Sequence, residues 1–245
     1  MPKQRLDQLL VERGLAPSRA RAQSMIHAGI VRVNGAQALK ASSNIDTNAD
    51  VGLAAEDHPY VSRGGLKLHG ALEELGIDPA GLVVADIGAS TGGFTDCVLR
   101  QGARRVYAID VGHGQLHPSL TGDPRVISME GVNARALDAQ SLPEPVQLVL
   151  VDASFIGLAK LLPALCTLLL PGGRLLALVK PQFELGPERV GKSGVVRSDE
   201  LRELALAEVI AAGRALGLTC EGHADSCLAG PEGNRELFAL FKLAC

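Results

Sequence analysis

A chain of 245 residues has room for one α/β domain of about 150–200 residues and a small appendage. Its 47% hydrophobic and 21% charged residues exclude a disordered polymer, and 3% aromatic content makes its core one of Leu, Val and Ala. A net charge of −3 excludes a uniformly basic coat, yet residues 1–40 hold Lys3, Arg5, Arg13, Arg19, Arg21, Arg32 and Lys40 against only Asp7 and Glu12, which suits phosphate contacts there.

In chain order, Leu6, Leu9 and Leu10 share one helical face that stops before Gly14, and Pro17-Ser18 opens a second helix burying Ala22, Met25 and Ile26. Ile30 to Val33 reads as a strand ending in the hairpin dipeptide Asn34-Gly35, with Leu39 and Val51–Leu53 as partner strands. Pro59 makes Asp57-His58-Pro59-Tyr60 a joint, which divides the chain into residues 1–57, a linker 58–61 and a domain 62–245. A helix from Leu66 carries Leu68, Ala71, Leu72 and Leu75 inward, and Leu82–Ala85 begins a buried parallel strand. Apolar runs at 106–109, 146–151 and 175–179 alternate with helices at 158–169 and 199–216, the last stopped by Gly217, and Leu237–Phe241 forms a closing strand. This alternation predicts a doubly wound α/β sheet.

Charges at Asp7, Glu12 and Arg13 break any secretory run, and the longest charge-free stretch, between Lys160 and Arg174, is shorter than the about 20 residues of a membrane span. A cytoplasmic protein without membrane contact is expected. Five cysteines with no C-x-x-C pair argue against a disulfide scaffold and a metal site.

The segment Asp86-Ile87-Gly88-Ala89-Ser90-Thr91-Gly92-Gly93-Phe94-Thr95-Asp96 is glycine-rich where the first parallel strand turns into its helix, so its backbone can approach a ligand closely. Its G-x-x-x-G-G spacing is not the dinucleotide fingerprint, which favours a nucleoside ligand without a diphosphate. Asp110, closing the next strand, is placed to accept hydrogen bonds from ribose hydroxyls. Asp152 and Lys180 end two further strands and project into the same crevice, either as a buried ion pair or as reacting groups.

These residues, with Arg5-Leu6-Asp7, Val11 to Leu15, Tyr60 to Leu68, Lys180-Pro181-Gln182-Phe183-Glu184 and Gly230-Pro231-Glu232-Gly233-Asn234, resemble the TlyA-type RNA methyltransferases, also known as the hemolysin A family, over essentially the whole chain. The resemblance implies a Rossmann-like, FtsJ-like methyltransferase domain behind a small N-terminal α+β RNA-binding domain like that of ribosomal protein S4. It implies S-adenosylmethionine as cofactor, a ribosomal RNA or ribosomal subunit as partner with no obligate protein partner, and 2′-O-methylation of a cytidine. The family's Lys-Asp-Lys-Glu tetrad falls on Lys67, Asp152, Lys180 and Glu236; taken alone, Lys67 reads as a solvated helix lysine and Glu236 as a polar residue opening the last strand. Cofactor contacts are expected from Asp86, Gly88, Ala89, Ser90, Thr91, Gly92, Gly93, Phe94, Asp110, Asn133 and Asp152, and RNA contacts from Arg5, Arg19, Arg21, Arg32 and Arg63. Lys180 is the candidate base, with Asp152 and Glu236 orienting the two lysines and the ribose. Gly131 and Ala153 are smaller than the family pattern, and the chain ends nine residues after Glu236, without the extension of members that modify both subunits, which implies the large one.

Two readings stay open at other positions: the Gly- and Pro-rich loop Phe183–Ser198 closes over RNA or is a solvated loop, and Arg63 contacts phosphate or braces the joint. Three rival functions are an inert RNA-binding assembly factor, a membrane-lytic protein and a NAD-dependent dehydrogenase. The intact lysines and Asp152 speak against the first, the lack of an amphipathic or spanning segment against the second, and the glycine spacing against the third.

Overall fold

The computed structural model describes the chain apart from residues 1, 28, 39, 54–57, 192–193, 231 and 245. The chain divides into two compact units, Met1–Pro59 and Tyr60–Cys245.

The first unit runs β1 (Lys3–Arg5), α1 (Leu6–Glu12), α2 (Arg19–His27), β2 (Val31–Val33), β3 (Ala36–Gln37), β4 (Asn44–Asp46) and β5 (Val51–Leu53). The leucines of α1 and the apolar face of α2 meet as anticipated, burying Leu6, Leu9, Leu10, Ala22, Met25 and Ile26 in one cluster. Asn34 and Gly35 both take positive φ (50° and 79°), the conformation a two-residue hairpin needs, and Val33 pairs with Ala36 across it. β5 pairs with β2, whereas Leu39 lies outside the described residues. Ile30 is not part of β2; its N–H closes back on the Met25 carbonyl at 3.3 Å. β1 and β4 pair with each other and were not anticipated, because three residues are too few to display alternation. Asp57, expected at the joint, lies outside the described residues.

The second unit runs α3 (Arg63–Glu74), β6 (Val83–Ile87), α4 (Gly93–Arg100), β7 (Arg105–Asp110), α5 (Pro118–Thr121), β8 (Val126–Glu130), β9 (Val146–Val151), α6 (Leu162–Cys166), β10 (Leu169–Val179), α7 (Pro181–Glu184), α8 (Pro187–Val190), α9 (Asp199–Ala215), β11 (Leu218–Asp225) and β12 (Leu237–Leu243). The strands form one sheet in the order β11-β12-β10-β9-β6-β7-β8. β12 is antiparallel to both of its neighbours, while β10, β9, β6, β7 and β8 are paired in parallel. Successive residues of the buried strands enter opposite layers. Val83, Ala85 and Ile87 pack with α6 and α9 through Leu162, Leu165, Ala205 and Val209. Val84, Leu148 and Leu150 pack with α3 and α4 through Leu68, Leu72, Phe94 and Val98. Two-sided burial of this kind demands the continuous apolar runs seen in the sequence.

The helix expected over 158–169 is shorter than its spacing suggests: a 3-10 turn at Leu158–Lys160 is followed by α6, and the chain is extended again from Leu169. Leu169 pairs with Val146 of β9, so a sheet ladder overrides the helical spacing of the leucines. β8 and β11 are the sheet's two edges, and their partly exposed, polar-rich sequences gave no apolar run to recognise. No helix among the described residues is long and apolar enough to cross a membrane. Cys97, Cys166, Cys220 and Cys227 are free thiols.

Candidate active site

Strand direction and register collect the charged residues. Val151 and Ala177 are paired in β9 and β10, so Asp152 and Lys180 leave the sheet at its carboxyl end. Because β12 is antiparallel, its amino end lies there too: Leu237 faces Val179, and Glu236 emerges beside Lys180. The Lys180 ammonium stands 2.6 Å from Asp152 Oδ1 and 2.9 Å from Ser154 Oγ. From the second turn of α3, Lys67 reaches Glu236 at 2.5 Å. Both lysines are 8% exposed and Glu236 is 2% exposed. Lys67 is therefore not a solvated helix residue, and its pair with Glu236 is desolvated, which strengthens the pair and fixes its geometry, whereas Asp152 keeps 27% of its side chain exposed. Gly230 makes room for this arrangement, since a Cβ there would lie 2.6 Å from Glu236 Oε1. Asn234 is 1% exposed, accepts the Val196 N–H at 2.8 Å and donates to the Gly194 carbonyl at 3.0 Å. It ties the distal part of the Phe183–Ser198 loop to the segment that carries Glu236.

Beside these pairs, the glycine-rich turn from β6 into α4 packs closely against its neighbours. Gly88 (φ 81°) lies so close to β9 that a Cβ would sit 2.5 Å from the Asp152 carbonyl, and at Gly92 (φ 91°) one would sit 2.2 Å from Leu120. Ser90 takes a left-handed φ of 47° and its N–H is accepted by Asp110 Oδ2 at 2.8 Å. The other Asp110 oxygen accepts the Gly112 N–H at 2.7 Å. Ala89 N–H is held by the Ile109 carbonyl, and the Thr91 carbonyl accepts the His117 N–H. Gly93 opens α4 pressed against Ser62. Phe94 is a core residue, 3% exposed, with its ring 6.0 Å from that of Phe238. Asn133 is exposed and caps a 3-10 turn by accepting the Arg135 N–H. Gly131 is small for a local reason: at φ 75°, a Cβ would stand 2.6 Å from the His113 ring.

Asp86 is fully buried. Its Oδ2 accepts from Thr95 Oγ1 at 2.6 Å, while its Oδ1 has no hydrogen-bond partner. Burial pushes this carboxyl up to about 7, and the Thr95 bond only partly opposes the shift. Glu130 accepts the backbone N–H groups of Gly114, Gln115 and Leu116, which hold it below the usual carboxylate range and fold the 112–116 loop around it.

Several residues at this end of the sheet escaped the sequence reading. Val111, directly after Asp110, is 71% exposed, and Phe155, at φ 66°, is 91% exposed with its ring 5.2 Å from Phe183. An exposed aromatic in a strained backbone three residues past a strand-end Asp is the available signal, and it needs the structure to be seen. No group of His, Cys, Asp or Glu among the described residues could hold a metal ion.

In the first unit, Arg5 and Arg19 converge on Asp7: Arg5 donates to it at 3.0 and 2.9 Å, Arg19 at 3.2 Å and Gln23 at 2.8 Å. Arg32 instead donates to the Gly29 carbonyl, Arg21 is half-buried on α2, and Arg63 is the half-buried first residue of α3.

The FtsJ-like methyltransferase family model matches residues 60–243, and the S4 domain model matches residues 4–51. The chain is 45% identical over 235 residues to the 16S/23S rRNA (cytidine-2'-O)-methyltransferase TlyA of Mycobacterium tuberculosis, covering 96% of this chain and 88% of that protein. It is 37% identical over 180 residues to the 23S rRNA (cytidine-2'-O)-methyltransferase TlyA of Campylobacter jejuni, covering 73% and 69%. A solved structure from Streptococcus thermophilus, described as a hemolysin, superposes with a TM-score of 0.78 at 40% identity, covering 100% of this chain and 90% of that one. The chain belongs to the FtsJ-like methyltransferase family and, within it, to the TlyA type.

Proposed function

We propose that the protein methylates the 2′-hydroxyl of a cytidine in ribosomal RNA, using S-adenosylmethionine. Large-subunit RNA is the favoured substrate, since it is common to the names of both TlyA relatives. The observation that carries the reading is the meeting of the Lys180–Asp152 and Lys67–Glu236 pairs at one end of the sheet, beside the glycine-rich turn from β6 into α4. A ribosomal substrate assigns the protein to the cytoplasm, and no protein partner is needed for the chemistry.

The residues fit the cofactor. The orphaned, buried Asp86 Oδ1 suits an ammonium donor, which would satisfy an oxygen that is costly to leave unpaired. Each Asp110 oxygen already accepts one backbone N–H and keeps a second lone pair for a ribose hydroxyl. The exposed Val111 offers an apolar surface to an adenine ring, and the amide nitrogen of Asn133, unused in its cap, is the candidate for the ring's edge. When bound, S-adenosylmethionine supplies a methyl group activated by its sulfonium.

The chain's own groups supply the rest. Lys180 would take up the 2′-hydroxyl proton during transfer, with Asp152 and Ser154 holding its amine in place. Lys67, held by Glu236, would orient the ribose hydroxyl towards the methyl donor. The exposed Phe155 ring gives an RNA base a face on which to stack. Arg5 and Arg19, aligned by Asp7, are the leading phosphate contacts of the S4-like unit, with Arg21, Arg32 and Arg63 as further candidates.

The test is transfer of labelled methyl from S-adenosylmethionine to ribosomal subunits purified from cells lacking the enzyme. Wild type is expected to label a cytidine 2′-hydroxyl, and Lys180→Ala to slow transfer about 10²- to 10⁴-fold. No label in either subunit or in free ribosomal RNA would favour an RNA-binding assembly factor instead.

A further inference from the structure

Two segments flank the Lys180 side of the crevice. One is the strap from Asp152 to Leu158, which starts where the Asp152 N–H is fixed to the Ile87 carbonyl and ends on Leu158, 2% exposed in the core. The other is α7, the single turn that follows Lys180 and is closed by Phe183 and Glu184 N–H groups on the Lys180 carbonyl. They touch at three points. Lys180 binds Asp152 and Ser154, the Phe155 and Phe183 rings lie 5.2 Å apart, and the Leu158 N–H points between the two oxygens of Glu184, each at 3.0 Å.

The third contact has the marks of a built clasp. Leu158 opens a 3-10 turn whose flanking residue, Gly157, has no side chain to cap it, and a carboxylate 26 residues away in sequence does so instead. Gly157 is also what lets Glu184 in, since a Cβ there would lie 3.3 Å from both Glu184 Oε2 and the Phe183 carbonyl. The carboxylate is held at a cost: burial pushes it up to about 7, against the opposing bond from Leu158, and Glu208 adds to the rise. Between its two fixed ends the strap carries Ser154 and the strained, exposed Phe155. A strap released at Leu158 would loosen both relative to Lys180.

We propose that Glu184 is a positioning residue for methyl transfer, clasping the 152–158 strap to the turn after Lys180 so that Ser154 stays on the base and Phe155 stays on Phe183. The inference rests on the function proposed above, and its test reads the clasp separately from the chemistry. The chain contains no tryptophan, so Phe155→Trp places a single fluorophore on the strap. Glu184→Ala in that background should lower the anisotropy of Trp fluorescence. In the native-Phe155 enzyme, the same substitution should lower kcat about 10- to 100-fold and leave KM for subunits and cofactor within about twofold. Glu184→Gln, which keeps an acceptor oxygen for Leu158, should restore kcat to within about threefold of wild type. Undiminished kcat in Glu184→Ala, a loss of kcat with anisotropy unchanged, or a Gln variant as slow as the Ala variant would each overturn the proposal. Should Glu184→Ala fail to fold, Glu184→Asp decides: it keeps the charge but is one methylene too short to reach the Leu158 N–H from the same backbone, so both anisotropy and kcat should fall, and no change in either would overturn the clasp. If the wild type transfers no methyl at all, the proposed function fails while the anisotropy still reports on the strap.

Discussion

Each unit of the molecule buries one aspartate completely, and the two behave in opposite ways. Asp7 in the N-terminal unit is surrounded by Arg5, Arg19 and Gln23, and the Arg5 guanidinium holds its carboxyl well below the usual range. Asp86 in the methyltransferase unit has one hydroxyl and one orphaned oxygen, and burial lifts it to about 7. Depth alone therefore does not set the charge of a carboxylate; the donors around it do. Asp7 is satisfied within its own unit and serves to align cations, whereas Asp86 is left short of a donor, as suits a group that receives a ligand.

The contrast breaks down if the two aspartates respond alike to substitution. The largest expected effect is from Asp7→Ala, which removes the carboxylate that Arg5, Arg19 and Gln23 share: about 1–2 kcal/mol of the N-terminal unit's stability should vanish, the exposed arginines being free to hydrate, read as faster amide exchange in that unit with the second unit unaffected. Asp86→Asn should do the reverse to the apo protein. The folded Asp86 titrates near 7 and the unfolded one near 3.8, so the native state binds the extra proton more tightly between those values, and wild-type stability from this group is lost as pH rises through the window. The melting temperature of Asp86→Asn relative to wild type should accordingly climb from pH 5 to pH 8, and a difference independent of pH would sink the assignment. The same variant should bind S-adenosylmethionine about tenfold more weakly at pH 8, and wild-type affinity should fall towards the mutant's as pH drops below 7. The smallest effect sharpens the other side: Arg19→Ala should weaken RNA binding across sequences and reduce the salt slope by about one, with kcat unchanged once RNA is saturating.

What could be read from the sequence follows the same divide between local and distant causes. The buried central strands announce themselves as apolar runs, and Asn34-Gly35 announces its hairpin, because each depends on adjacent residues. The edge strands β8 and β11 do not, since an edge needs no continuous apolar run. Asp152 and Lys180 were legible as strand ends. Glu236 was legible only through resemblance, because an antiparallel strand brings its amino end, not its carboxyl end, to the crevice. Glu184 and Phe155 were missed for a simpler reason: their significance lies in contacts across 26 or more positions.

The reversed direction of β12 also orders events during synthesis. The strand fills the slot between β10 and β11, and it is the last of the three to be made. Chains emerge amino end first, so a nascent polypeptide that has reached only residue 235 has a split sheet, two open strand edges and a Lys67 with no carboxylate to meet. Completing the sheet and completing the ion pair are therefore one step, and a chain whose sheet is still open lacks the Lys67–Glu236 pair as well.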